Sequence, residues 1–184
     1  MGLNACVYCD CLEKGRLRKP LPADFRVKVE ADGMPCIIKG GEVIWDVEPA
    51  AADFLCDHEG RILIHHYLGN MALIGVLRRE LDREASVFPL LLQKVVYNGI
   101  HGGDWIGIHE FPQLQVELKL LEWFKCAGNV PTNFLISFDG HPPAPGWKQE
   151  YSTPEESGLW MQIFRKQMLE LVDVALRIGK PISF

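Results

Sequence analysis

The sequence has no apolar run of about 18 residues, which excludes a helical membrane span. Its first residues, MGLNACVYC, carry no basic cluster followed by a long apolar stretch, so no secretory signal is expected. Gly2 is not followed by the Ser or Thr that a myristoylation signal needs. Lys and Arg form no stripe. The most basic stretch, EKGRLRKP, holds Lys14, Arg16, Arg18 and Lys19 beside a prolyl turn, and it reads as a solvated loop rather than a nucleic-acid patch. The phosphate-cradling loop, the G-x-S-x-G nucleophile elbow and the H-E-x-x-H metalloprotease pattern are all missing, so no nucleophile or cofactor is framed by a motif. Neither internal repeats nor low-complexity segments occur.

What remains is an ordinary globular composition in 184 residues, with 48% hydrophobic and 23% charged residues and a net charge of −5. A chain of that length buries roughly 70% of its unfolded surface and needs no staple to fold. A single domain over 1–184 is expected, in the cytoplasm, with its six cysteines reduced.

The pattern predicts an α+β fold. Leu3, Ala5, Val7, Cys9 and Cys11 alternate with polar positions, which predicts a strand running through Cys11. Phe25, Val27 and Val29 alternate with Arg26, Lys28 and Glu30; Asp32-Gly33 marks a turn. Further strands are expected at Cys36–Ile38, at Val43–Trp45 and in RILIHHY. The segment PAAADFLCDHEG reads as a short helix ending at Gly60, and NFLISF as a strand. Four helices are expected: one capped by Asn70, one opening at Pro89, one opening at Pro112, and a long one opening at Pro154 behind Ser152 or Thr153. The long helix presents Trp160, Ile163, Phe164, Met168, Leu171, Val172 and Ala175 as its apolar stripe. An antiparallel sheet mainly from the N-terminal third, packed on helices from the remaining two thirds, follows from that order.

Two constellations carry possible chemistry. The first is CVYCDC. If the strand continues through it, Cys6 and Cys9 point to opposite faces, and Cys9 and Cys11 serve as small hydrophobes. The competing reading joins Cys9 and Cys11 to Cys56 and His58 as a tetrahedral metal site, although C-x-C…C-x-H is not a strong ligand spacing. The alternation favours packing, so no metal and no cofactor are expected. The second constellation is His65 and His66 on a strand, with His101 and Asp104 in a glycine-rich loop where Asp104 can orient His101. Trp147, in a proline-rich loop, is a candidate interface anchor.

The stretches CVYCDCLEKGRL, HHYLGNMALIGVLRREL, VVYNGIHGGDW and GKPISF resemble a family of uncharacterised bacterial proteins, some of which look like immunity proteins of toxin systems. The resemblance implies a cytoplasmic, non-enzymatic protein. It would neutralise a toxin domain by covering its active site; His65, His66, His101, Asp104 and Trp147, singled out by the sequence itself, are the candidate contact residues. The alternative is a small metal-dependent or His/Asp acid–base enzyme.

Overall fold

The computed structural model describes residues 2–44, 56–96, 104–132 and 148–184. The fold is α+β, with the strands mainly early and the helices mainly late. Strand β1 is Gly2–Tyr8; β2 (Phe25–Val29), β3 (Pro35–Lys39) and β4 (Glu42–Ile44) follow. β5 (Ile62–Asn70) leads directly into helix α1 (Met71–Asp82). A π-helical turn covers Leu91–Val95. Then come β6 (Trp105–Ile106), helix α2 (Phe111–Leu120), the long helix α3 (Pro154–Ile178) and β7 (Ile182–Ser183).

The strands form two sheets, one of order β5-β1-β7-β6 and one of order β2-β3-β4. In the smaller sheet Val27 faces Ile37 and Ile38 faces Val43, both antiparallel. In the larger one β7 pairs antiparallel with β1 at Cys6–Ser183 and with β6 at Ile106–Ile182. The closing GKPISF segment thus supplies a strand flanked on both sides.

The chain divides into two compact units. One comprises Met1–Asn4, Tyr67–Ile100 and Pro112–Leu169; the other comprises Ala5–His66, His101–Phe111 and Glu170–Phe184. The first is helical at its core. Ile74, Leu77 and Leu81 of α1 are buried, as are Leu114 and Leu118 of α2 and Met161, Phe164 and Met168 of α3. Phe88 meets Phe124 edge-to-face at 5.3 Å. The expected α3 stripe holds at Phe164, Met168, Leu171, Val172 and Ala175, but Ile163 is exposed and Met161 takes the inward place.

Capping follows the sequence. The Asn70 side chain accepts the Leu73 amide at 2.8 Å. Thr153 and Glu156 exchange bonds as a capping box, the hydroxyl accepting the Glu156 N–H and the carboxylate accepting the Thr153 N–H. Two buried carboxylates do similar work over longer range. Glu117 accepts the Leu90 and Leu91 amides at 3.0 and 2.9 Å, where the π-helical segment starts. Glu80, fully buried, accepts Ala127 N–H at 2.9 Å and Gly128 N–H at 2.7 Å and pairs with Arg83. Gly128 has φ 67°, and a Cβ there would lie 2.4 Å from the Pro154 nitrogen, so the bend requires glycine.

The second unit holds the smaller sheet and the N-terminal cysteines. Ala5, Val7, Cys36, Ile37, Ile106 and Ile182 are buried in it. Among the described residues no helix is long and apolar enough to cross a membrane. The expected strand NFLISF and the first part of the expected helix over PAAADFLCDHEG lie outside the described residues; the described end of that segment, 56–60, is a bend running into a 3-10 turn at Glu59–Arg61 rather than an α-helix.

Candidate metal centre

The strand expected to run through Cys11 stops at Tyr8. Up to that point the alternation holds: Leu3, Ala5 and Val7 are buried and Asn4 is exposed. Beyond it the chain turns. The Lys14 amide donates to Asp10 O at 3.0 Å and the Arg16 amide to Cys11 O at 2.8 Å, while Gly15 adopts φ 64°. The turn is organised by Asp10, whose buried side chain is ion-paired to Lys14 at 2.5 Å and to Arg16. The Lys14 ammonium, bonded to it, holds the Asp10 carboxyl below its usual range, and Arg16 adds to the effect. Lys180, itself buried, reaches the same turn through Glu13.

The second strap is Cys56-Asp57-His58. The Arg61 amide donates to His58 O at 3.1 Å, and the Cys9 amide donates to Arg61 O at 2.8 Å. Gly60 and Arg61 both have left-handed backbones, at φ 58° and 61°. These two successive reversals fold the strap back before β5 begins. Arg61 is buried and anchored by its guanidinium on Pro35 O. On the outside, Arg18 Nε bonds Asp57 Oδ1 at 2.9 Å and ties the two straps together.

These local features bring the Sγ atoms of Cys9, Cys11 and Cys56 and a ring nitrogen of His58 within 4.8 Å of one another. Cys9 Sγ lies 3.5 Å from Cys56 Sγ, and Cys11 Sγ lies 3.5 Å from His58 Nδ1. A tetrahedral zinc with bonds of about 2.3 Å to sulfur and 2.0 Å to nitrogen has S···S edges of about 3.8 Å and S···N edges of about 3.5 Å. The Cys9–Cys56 and Cys11–His58 separations are close to those edges, and all four donors lie within 4.8 Å of one another. The three cysteines are buried, with Leu17 packed against them. Burial pushes the Cys9 thiol up to about 12 and raises Cys11 as well, so binding a cation there must displace protons.

The packing reading of Cys9 and Cys11 is thus half of what is found: both are buried, but they leave the strand to converge with Cys56 and His58. The sequence reading missed Asp10, Arg16 and Arg61, the residues that make the turns. The Gly60-Arg61 pair before the β-rich run was the available signal.

Of the other candidate residues, His65, His66 and Asp104 lie among the described ones. His65 is exposed, and His66, facing the opposite way on β5, places Nε2 2.9 Å from Glu170 Oε2. The backbone carbonyl of Asp104 accepts the Phe184 amide at 2.9 Å. His101, the expected partner of Asp104, and Trp147 lie outside the described residues. Comparison with protein-family models, with curated proteins and with solved structures finds no match for this chain.

Proposed function

We propose that this protein binds one zinc ion through Cys9, Cys11, Cys56 and His58, and that the metal is structural in a protein that works by binding rather than by catalysis. The observation that carries the reading is the complete set of four protein donors within 4.8 Å. Three thiolates and one imidazole suit zinc, whereas the hard cations calcium and magnesium call for oxygen donors. Four protein ligands saturate a tetrahedral ion, and a catalytic zinc keeps a position open for water or substrate. The donor count therefore favours the binding protein over the metal-dependent enzyme. His58 would ligate through Nδ1, the nitrogen that faces Cys11.

The zinc would staple segments 47 residues apart, holding the turn after β1 against the strap before β5. Closing a loop of that length by chain entropy alone is costly, and a metal offsets that cost. The use of the stapled surface, neutralising a toxin domain by covering its active site, is the part of the reading supported by the sequence resemblance. Elemental analysis of protein purified without chelator tests the metal, with one zinc per chain expected. Cobalt substitution should give the intense visible bands of a tetrahedral thiolate site, and a six-coordinate spectrum would reject a saturated centre. The genes beside its own test the partner: a toxin encoded there, and loss of that toxin's activity on mixing, are expected, and neighbours that encode no toxin would reject this part of the reading.

A further inference from the structure

We propose that the zinc centre is released by oxidation: hydrogen peroxide joins Cys9 to Cys56 as a disulfide and the metal leaves. The inference rests on the zinc reading above and adds a regulation to that site. Its basis is the 3.5 Å separation of the two sulfurs, which come from straps 47 residues apart. A disulfide needs about 2.0 Å, so the sulfurs must close by roughly 1.5 Å. Cys9 and Cys56 are 1% and 5% exposed, which shuts out bulky disulfide oxidants and makes a small one such as hydrogen peroxide the fitting reagent.

The metal decides when the cysteines react. Bound to zinc they are thiolates, the nucleophilic form. The Cys56 thiolate attacks one peroxide oxygen, the O–O bond breaks, and the departing hydroxide takes a solvent proton to become water. The Cys9 thiolate then attacks the Cys56 sulfenic sulfur, the S–O bond breaks, and a second proton turns that hydroxide into water. In sum, two thiolates, one peroxide and two protons give one disulfide and two waters; each sulfur loses one electron and the peroxide gains two. Cys11 and His58 are then the only donors left, too few for a tetrahedral site.

The test uses the full chain, first assayed for its zinc content and then treated with hydrogen peroxide beside a colorimetric zinc chelator. Expected are release of one zinc per chain, loss of two of the six thiols, and a cross-linked tryptic peptide pair whose fragmentation places the bond between Cys9 and Cys56. Dithiothreitol with added zinc should restore the loaded form. The variant Cys126→Ser, outside the cluster, should release its metal in the same way. Zinc retained under peroxide, or released with sulfinic acids or a different cysteine pair, overturns the proposal while leaving the zinc reading intact. A chain with no zinc at the first assay fails the zinc reading itself, and the oxidative release falls with it.

Discussion

The backbone N–H of Cys9 donates to the carbonyl of Arg61 at 2.8 Å, and this one bond connects the two ligand straps independently of any metal. Arg61 makes it from a left-handed backbone at φ 61°, where a non-glycine residue is disfavoured by about 1–2 kcal/mol. Its guanidinium, anchored on Pro35 O, offsets that strain. The four-donor cluster is therefore preorganised by a residue outside it.

Comparison of Arg61→Ala with Arg61→Gly separates the two contributions. Both lose the Pro35 anchor, but only glycine relaxes the backbone. The glycine variant should be the more stable of the two by about 1 kcal/mol. Urea unfolding of the pair measures this, and an alanine variant as stable as the glycine one would show that the left-handed backbone carries no strain.

Removing the metal should weaken the whole second unit. A ligand present at a thousandfold over its dissociation constant stabilises the native state by about 4 kcal/mol. For a chain of this size that corresponds to a fall of roughly 10 °C in melting temperature on chelation. Differential scanning calorimetry with and without chelator reads it, and coincident melts would count against a structural zinc.

The sequence made the local features legible and left the non-local ones hidden. Asn70 and Thr153 cap as read, because a cap involves only residues three apart. The alternation of β2 gave its bounds for the same reason. β6 escaped notice: two residues long, it exists only through β7, more than seventy residues later in the chain. The separation into two sheets likewise depends on partner choice, which periodicity does not encode. At the candidate metal centre the four donors could be named together, but their convergence depends on where β1 ends. Asp10 decides that, by drawing Lys14 and Arg16 around its buried carboxylate, and the alternation of apolar residues contains no trace of it.

Glu80 offers a test away from the metal. Its fully buried carboxylate accepts two amides and pairs with Arg83. Glu80→Ala strands the Ala127 and Gly128 N–H groups and should cost about 2–4 kcal/mol. Glu80→Gln keeps one acceptor oxygen and should cost less. A chemical denaturation series of the three proteins decides, and an alanine variant within 0.5 kcal/mol of the parent, about the scatter of surface substitutions, would remove Glu80 from this role.

The pH dependence should change sign with the metal. In the zinc-free protein burial raises the Cys9 thiol from 9.0 to about 12 and raises Cys11 too. A folded-state value above the unfolded one gives stability that is complete below pH 9 and lost as pH climbs towards 12. Zinc inverts this for the same two groups: it favours the thiolates, holds their proton affinities below the unfolded value, and makes acid the destabilising direction. Cys126, raised to about 11 by burial outside the cluster, adds an alkaline loss to both forms. The difference between the forms thus isolates the centre. Denaturant midpoints measured across pH should show the zinc form losing its advantage below about pH 5 and the two curves diverging most above pH 9. Parallel curves for the two forms across that range would mean that these sulfurs do not exchange protons for the metal.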